Sequence, residues 1–327
     1  MRRFTFVRGV FMMLGACLVI ALMAQPASAT FPGKNGRIVF VANPSGSWQL
    51  YTIKANGSGM TQITDLTATA WEFWAPTFSP DGKKVLFTYG PVDDGGNCTC
   101  DLYVINADGS GLVNLTNDGL SYYGHWSPDA SHIVFASISL QTGQTVITTM
   151  RADGTGTRTT LTDPAWNSFG NAYTPDGRQI VMDSEQRGLV SALWTMNTQG
   201  HDQVRITPAA LEGCVSDVSP DGNRVLILNH CNSNIPGAQI FSAGIDGRKI
   251  EQLTDPGKGK VDISSAYSPD GTKIVFASNR MSSDGSLDLY TAKRDGTKIH
   301  RIATGLTVGG CPDNECVTPS WGSEPQR

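Results

Sequence analysis

The chain has 327 residues, of which 25 are basic and 29 are acidic, so its formal net charge at pH 7 is −4. This acidic balance argues against nucleic acid or an anionic membrane surface as a partner. After residue 29, the sequence contains no segment that is long and apolar enough to predict a membrane span.

The first 29 residues have the pattern of a secretory signal peptide. Arg2, Arg3 and Arg8 precede an apolar stretch over residues 10–23, and Ala27-Ser28-Ala29 matches a small-residue cleavage site. Leu14-Gly15-Ala16-Cys17 is similar to a lipoprotein box, but the apolar stretch continues past Cys17. We therefore expect cleavage near Ala29 and release rather than a lipid anchor, which places the protein outside the cell, in the periplasm or in the cell envelope.

A nine-residue pattern that begins at Ser79 recurs along the chain. It consists of Ser-Pro-Asp-Gly, or a close relative, followed by an apolar strand such as Ile274-Val275-Phe276. Its copies begin at Ser79, Ser127, Thr174, Ser219 and Ser268, at steps of 45 to 49 residues. This period is typical of a four-stranded propeller blade.

A second motif alternates with the first and consists of a strand, a Gly-containing turn, and then Leu or Ile, in most copies followed by Thr. Its six turns are Asn56-Gly57, Asp108-Gly109, Asp153-Gly154, Gln199-Gly200, Asp246-Gly247 and Asp295-Gly296. Six second halves therefore accompany five complete first halves.

The two ends of the chain supply the missing half. Residues 36–40 match the strand after the Ser-Pro-Asp-Gly turn, and residues 317–322 resemble the strand that should precede that turn. We predict an all-β fold, a six-bladed β-propeller of four-stranded antiparallel blades whose ring is closed by the C-terminal strand. Residues 30–327 would form this single domain, with about 50 residues for each blade.

Six cysteines follow the predicted signal peptide, and an even number suggests disulfides in an exported protein. Cys214 and Cys231 flank one hairpin turn, so antiparallel pairing would place them opposite each other. Cys311 and Cys316 share a loop and most simply pair together, whereas a bond from Cys98 to Cys100 needs an unusual local backbone. A zinc site is the rival interpretation, but the ligand spacing of such sites is absent, and we expect no metal or cofactor.

A propeller has two faces, which differ in their connections. We call the face with the a–b and c–d turns the short-turn face, and the face with the b–c and d–a connections the long-loop face. Variable loops on a rigid scaffold are the usual place for binding. The predicted ligand-binding residues at the channel entrance on the long-loop face are Trp71, Glu72, Tyr122, Tyr123, His125, Trp166, Asn167, Asp217 and Asp262.

Aromatic, acidic and amide side chains in one entrance could hold a sugar, a peptide or a small polar ligand. The alternative, that these side chains are packing residues, stays open. A neighbouring aromatic series at one repeat position is interpreted as core between blades: Phe78, Trp126, Tyr173, Tyr267 and Trp321. The aspartates of the repeated turns, such as Asp81 and Asp129, are interpreted as turn residues.

Together, the Ser-Pro-Asp-Gly strand pair, the Asp-Gly half-repeat and the closing Pro319-Ser320-Trp321-Gly322 resemble the WD40-like (PD40) repeats of TolB-type six-bladed propellers. The resemblance extends from about Gly36 to Gly322 and is specific for the fold rather than for the function. It implies a periplasmic module that binds a peptidoglycan-associated lipoprotein. TolB-type proteins also carry an N-terminal α/β domain, for which we expect no counterpart because Gly36 already belongs to the first blade.

The repeats also resemble the propellers of prolyl-oligopeptidase-like enzymes and of oligogalacturonate lyases. We nevertheless expect a non-enzymatic binding or scaffold propeller, a monomer that recognises an envelope or extracellular protein, a peptide or a glycan through its long-loop face. The alternative is a secreted hydrolase or polysaccharide lyase with its site in the channel mouth. Its acid–base groups would then be chosen from Glu72, His125, Asp217 and Asp262.

Overall fold

The structure is a computed structural model that describes residues 28–66, 71–91, 98–186, 191–208, 213–229, 237–307 and 317–325. Its described residues form strands and turns, and they contain no α-helix. The strands make six sheets, each with four antiparallel strands and each forming one blade. The predicted all-β, six-bladed propeller is therefore confirmed.

The first three blades contain the following strands, given from the channel outward. Blade 1 has β25 (Ser320–Ser323), β2 (Asn35–Ala42), β3 (Gln49–Lys54) and β4 (Thr61–Gln62). Blade 2 has β5 (Trp71–Phe78), β6 (Lys84–Pro91), β7 (Asp101–Asn106) and β8 (Val113–Asn114). Blade 3 has β9 (Ser121–Trp126), β10 (His132–Ile138), β11 (Thr145–Arg151) and β12 (Thr159–Thr160).

The other three blades follow the same order. Blade 4 has β13 (Ser168–Tyr173), β14 (Gln179–Ser184), β15 (Ala192–Asn197) and β16 (Val204–Arg205). Blade 5 has β17 (Gly213–Val218), β18 (Arg224–Asn229), β19 (Ile240–Gly244) and β20 (Glu251–Gln252), with β1 (Ser28–Ala29) added as a short fifth strand inside β17. Blade 6 has β21 (Asp262–Tyr267), β22 (Lys273–Ser278), β23 (Asp288–Lys293) and β24 (His300–Ala303).

The ring closes where the sequence predicts. Strand β25, near the C-terminus, pairs with β2 in blade 1, and the register places Ile38 opposite Trp321 and Val39 opposite Ser320. Trp321 is almost completely buried against neighbouring blades. Closure gives the inner edge of blade 1 a partner strand, which removes a sheet edge that would otherwise be open to other chains.

The repeated Ser-Pro-Asp-Gly turn is held by its own side chains. In blade 2, Asp81 Oδ1 accepts hydrogen bonds from Ser79 Oγ at 2.7 Å and from the Lys83 amide at 3.1 Å. Ser79 Oγ also accepts from the amide of Lys84, the first residue of β6, at 2.9 Å. The last turn position, Gly82, has φ +69°, a conformation that glycine adopts without steric cost. These contacts confirm the interpretation of the repeated aspartates as turn residues.

The core lies between adjacent blades rather than in one centre. Val134 and Ile147 of blade 3 belong to one buried cluster with Tyr173 and Trp194 of blade 4. Central strands are apolar on both faces because each face packs against a neighbouring blade, as in Ile274–Phe276, which is fully buried. The aromatic series at the end of the inner strands is buried throughout, as expected for core residues.

A bulge in the inner strand of blades 2 to 6 is a feature that the repeats do not predict. The pairing between the first and second strands of each blade shifts in register, for example between Phe169 and Asn171 in blade 4. In three of these blades the bulge contains a non-glycine residue with positive φ, namely Ala75 at 49°, Tyr123 at 53° and Ser264 at 48°, and in blade 4 it contains Gly170 at 36°. Bulges bend and twist a strand locally.

No helix among the described residues is long and apolar enough to cross a membrane.

Candidate functional site

The chain enters the propeller through its central channel. Strand β1 runs parallel to β17, with Ser28 opposite Asp217 and Ala29 opposite Val218. The next residue, Thr30, is buried, and its amide donates to Asp217 Oδ1 at 3.0 Å. Its hydroxyl oxygen lies 2.7 Å from Asp217 Oδ2 and 3.0 Å from the carbonyl oxygen of Tyr267. The start of the described chain therefore joins blades 5 and 6 from inside the channel.

Asp217 is completely buried, although it was predicted at the channel entrance. Besides the two Thr30 groups, its carboxylate accepts from the amides of Val218 at 2.8 Å and Tyr267 at 2.5 Å. Burial holds the pKa of this carboxyl well above its usual range, although the four donors oppose that shift. No ion pair to Asp217 is formed within the described ranges. The placement at an open entrance is thus corrected, because the N-terminal segment covers this side chain.

Two predicted entrance residues on β9 are also enclosed. His125 is 1% exposed, and its Nε2 has no hydrogen-bond partner among the residues that the structure describes. Burial lowers the pKa of this imidazole to about 3, so it is neutral at physiological pH. Tyr123 is buried in the bulge, where its amide donates to Thr88 Oγ1 of blade 2 at 2.9 Å. In this structure neither side chain faces solvent at the channel mouth.

Asp262 is buried and is paired with a cation. Arg280 Nη2 lies 2.6 Å from Asp262 Oδ2, and Arg280 Nε lies 3.3 Å from Oδ1. The same guanidinium lies over the rings of Phe276 and Tyr290, at 5.3 and 5.5 Å from their centroids. This arrangement is structural. The acid–base role proposed for Asp262 in the alternative function would require this pair to open.

Tyr122 is half-buried beside Tyr123, with the ring centroids 6.3 Å apart. Burial, with a smaller effect of Asp118, raises the pKa of its phenol to about 12. Trp71 and Glu72 lie in β5, opposite Pro91 and Gly90 of β6. For these two residues the structure describes only the backbone, so their role in ligand binding stays a prediction.

Trp166 and Asn167 lie on the long-loop face as predicted from the repeat, and they differ in exposure. Trp166 is 38% exposed, whereas Asn167 is half-buried and joins three segments. Asn167 Oδ1 accepts from the amide of Thr145 at 3.1 Å, and its Nδ2 donates to Glu185 Oε2 at 3.0 Å. Asn167 therefore positions the loops around Trp166.

A second exposed apolar side chain on this face was not predicted. Leu140 lies in the connection between β10 and β11 and is 88% exposed. Its loop is joined to the Trp166 loop by a hydrogen bond from Thr142 Oγ1 to the carbonyl of Pro164 at 2.9 Å. The sequence shows that Leu140 interrupts a polar connection after the apolar strand β10. A single leucine in a loop is, however, too weak a pattern to predict a binding residue.

The predicted cysteine pairings lie largely outside the described residues. Cys231, Cys311 and Cys316 all fall there, so these two pairings stay predictions. Cys98 and Cys100 are described: their sulfur atoms are in contact and their Cα atoms are 5.2 Å apart. Gly90 allows this turn to approach, because a Cβ at that position would lie 2.3 Å from the Thr99 carbonyl oxygen.

The short-turn face also contains a cavity, of about 450 Å³, between blades 3 and 4. It is lined by Ser127, Pro128, Asp129, Ser131, His132, Thr149, Tyr173, Asp176, Gly177, Thr198 and Gln199. The sequence predicts no site there, because Asp129 is interpreted as a turn residue and Tyr173 as core. Both interpretations are correct, but they do not describe the space between the two side chains.

Comparison with known proteins agrees with this architecture. The family model described as PD40, TolB beta propeller domain, matches residues 21–210. An uncharacterized protein of Agrobacterium fabrum (strain C58) is 28% identical over 184 residues, which cover 56% of this chain and 58% of that relative's length. The chain therefore matches little more than half of the relative.

Two solved structures share the fold at low identity. TolB from Acinetobacter baumannii has a TM-score of 0.69 and 18% identity, over 90% of this chain and 68% of that one. A protein assigned as TolB from Agrobacterium tumefaciens has a TM-score of 0.62 and 19% identity, over 87% of this chain and 98% of that one. Because the family model matches more than half of the sequence and the structure shows the same blades, the chain belongs to the PD40 family of TolB beta-propeller domains.

Proposed function

We propose that this chain is an exported, non-enzymatic binding propeller that recognises a protein of the cell envelope through its long-loop face. The TolB-like propeller fold suggests a binding or scaffold role. One observation carries the proposal further, namely the exposure of Leu140 and Trp166 on two loops that are tied together.

Exposed side chains of this kind are suited to a protein interface. Tryptophan is enriched among the residues that contribute most to protein–protein binding, because it offers a large contact area for little conformational entropy. The hydrogen bonds of Thr142 and Asn167 hold the two loops before a partner arrives, which reduces the entropy lost on binding. A further apolar side chain, Met281, is 68% exposed on a loop of blade 6 on the same face.

These features favour a protein over a peptide or a glycan. Leu140 is nearly fully exposed and so projects from the surface, whereas a small ligand needs a concave site that encloses most of its area. A projecting leucine is instead buried by a partner with its own apolar depression. Burying it completely contributes roughly 2 kcal/mol.

Export is compatible with the start of the fold, although cleavage after Ala29 would remove β1 and its pairing with β17. Cleavage between Ala29 and Thr30 would keep Thr30 and its contacts with Asp217 while removing the signal peptide. The relationship to TolB points to the cell envelope. The close approach of Cys98 and Cys100 fits a disulfide, which persists in oxidising compartments, and the Cα separation of 5.2 Å lies within the range of such bonds.

An affinity capture with matched variants tests the proposal. The mature protein, a Leu140→Ser/Trp166→Ala variant and a Val113→Ser control would be incubated with envelope extract and with a glycan array. Val113 is 52% exposed on the outer strand β8, away from the long-loop face. We expect one protein to bind the wild type and the control and to be lost with the double variant. Equal recovery with all three, or binding only to glycans, would contradict the proposal.

A further inference from the structure

The cleft between blades 5 and 6 on the short-turn face is occupied by a side chain of the protein itself. Arg294, in the turn after β23, has its guanidinium carbon 5.5 Å from the ring centroid of Tyr267. Its Nη1 donates to Asp221 Oδ2, in the turn of the preceding blade, at 3.0 Å. The guanidinium thus lies between an aromatic face and a carboxylate, both of which attract it.

The cleft between blades 3 and 4 has the same framework. Tyr173 occupies the repeat position of Tyr267, and Asp129 occupies that of Asp221 in the preceding blade. The match extends to a second hydroxyl on the preceding blade. Tyr173 Oη lies 3.4 Å from Thr149 Oγ1, and in the other cleft Tyr267 Oη lies 3.2 Å from Ser242 Oγ.

The two clefts differ in one component, the cation that Arg294 supplies between blades 5 and 6. Thr198 stands at the repeat position of Arg294, and its side chain is too short to reach over the tyrosine ring. The space is the cavity of about 450 Å³ described above. Tyr267 is 0% exposed beneath Arg294, whereas Tyr173 keeps 6% of its surface exposed.

The two oxygens of the Asp129 carboxylate have separate roles, as they do in the equivalent aspartates Asp221 and Asp270. Its Oδ1 holds the turn by accepting from Ser127 Oγ at 2.6 Å and from the Ser131 amide at 3.0 Å. In Asp221 and Asp270 the second oxygen accepts from the next blade, from Arg294 and from Asn35 respectively. Asp129 Oδ2 accepts no hydrogen bond from the residues that the structure describes. Hydrogen bonds from Ser127 and Ser131 lower the pKa of Asp129 to about 2, so the carboxylate is charged at neutral pH.

The other four blades have apolar residues at both positions, so this arrangement is not general. The pairs are Trp321 with Ala55, Phe78 with Ala107, Trp126 with Ala152 and Val218 with Ile245. Only blades 4 and 6 combine a tyrosine with a polar residue at the turn. Blade 6 has its own cation, and blade 4 has the cavity.

We propose that the cleft between blades 3 and 4 binds the guanidinium group of an arginine side chain from a partner protein, stacked on Tyr173 and paired with Asp129 Oδ2. Arginine suits the cleft better than lysine, since its planar group can stack on a ring and donate in the plane at the same time. The site lies on the face opposite Leu140 and Trp166, so it goes beyond the proposed function and is tested separately from it.

An NMR titration of the mature protein tests the site with defined probes. N-acetylarginine amide should cause saturable shifts at the signals of Tyr173 and Thr198, and the uncharged analogue N-acetylcitrulline amide should not. Asp129→Asn keeps the Oδ1 acceptor of the turn and removes the charge, so it should weaken binding at least about tenfold. Asp81→Asn, the same change in the turn of blade 2, should leave the affinity unchanged.

Two exchanges between the clefts complete the test. Thr198→Arg should fill the cleft from within and abolish probe binding, whereas Arg294→Thr should create a second site with its own shifts at Tyr267. The inference is overturned if arginine and citrulline probes behave alike, if no saturable shift appears at Tyr173, or if Thr198→Arg still binds the probe. These results do not depend on any partner of the long-loop face.

Discussion

The backbone amide of Thr30 donates a hydrogen bond to the buried carboxylate of Asp217, a residue 187 positions further along the chain. The Thr30 hydroxyl lies 2.7 Å from the same carboxylate. The contact fixes the start of the described chain inside the ring. It also gives the proposed cleavage a physical consequence. If Thr30 becomes the first residue, its amide nitrogen becomes an α-ammonium group, 3.0 Å from a carboxylate that has no cationic partner among the described residues.

We therefore predict that Asp217→Asn destabilises the processed protein much more than an unprocessed form. Removing one partner of a buried ion pair costs about 3–5 kcal/mol, because the other charge is left uncompensated. Urea unfolding of both forms, each with and without the substitution, measures the difference. N-terminal sequencing first establishes that Thr30 is the mature terminus. Equal losses in the two forms would show that no such ion pair exists.

A second buried carboxylate should make stability depend on pH. Asp183 is fully buried, accepts one hydrogen bond from the Val215 amide at 2.9 Å, and has its Oδ2 unpaired among the described residues. Burial raises the pKa of this carboxyl well above its usual value. Between pH 4 and the raised pKa, the folded state binds more protons than the unfolded state, so this group lowers stability as pH rises.

The Asp183→Asn variant removes this titration while keeping an acceptor for Val215. Relative to the wild type, its free energy of unfolding should gain about 1 kcal/mol for each pH unit above 4 until the native pKa is passed. Chemical unfolding between pH 4 and pH 8 gives the two profiles. Parallel profiles would mean that Asp183 titrates normally in the folded protein.

One turn departs from the repeat at a cost in stability. Ala130 has φ +57° where the equivalent positions are Gly82, Gly177, Gly222 and Gly271 with φ between +67° and +70°. A residue with a Cβ in this conformation is strained by about 1–2 kcal/mol. Ala130→Gly should therefore stabilise the protein by about 1 kcal/mol, since part of the gain is offset by the greater freedom of glycine in the unfolded chain.

The reverse change is the control. At Gly222 a Cβ would meet Pro175 Cδ at 3.7 Å, which is ordinary contact, so Gly222→Ala should lose a similar amount through backbone strain alone. Thermal unfolding of the two variants should show shifts of opposite sign. A destabilised Ala130→Gly variant would contradict this account.

Ring closure can be tested at Trp321. This side chain is buried at the junction of blade 1 with its neighbours, and replacing a buried tryptophan with alanine typically costs about 3–5 kcal/mol. A chain that ends before residue 317 should lose more, because β2 would be left with an unpaired edge and solubility should fall. Melting curves and sedimentation velocity measure both effects. A truncated chain that is monomeric and melts like the intact one would show that closure contributes little.

The fold could be predicted from the sequence because the repeat carries its own physical explanation. Ser79, Asp81 and Gly82 each have a defined part in one turn, and the same letters return in other blades. The closing strand could be predicted because residues 317–322 resemble a known inner strand. Local chemistry and global topology therefore pointed to the same answer.

The channel could not be predicted in the same way. Inner-strand residues such as His125 and Asp217 were expected at an entrance, but their strands, β9 and β17, each contain a bulge that changes which side chains face the channel. The sequence also gave no sign that Thr30 would cover Asp217, because this contact joins segments that are distant along the chain. The role of Leu140 rests on its exposure, and the cleft at Tyr173 rests on an empty volume between side chains. Neither property can be read from a pattern of residues.

Crosslinking in living cells can show whether the long-loop face is the binding surface, as we propose. A photoreactive amino acid would replace Leu140 or Trp166 on the long-loop face, and Val113 on the outer rim would serve as the control position. We expect positions 140 and 166 to give the same crosslinked protein product and position 113 to lack it. A product that forms at position 113 and is absent from both loop positions would contradict this proposal.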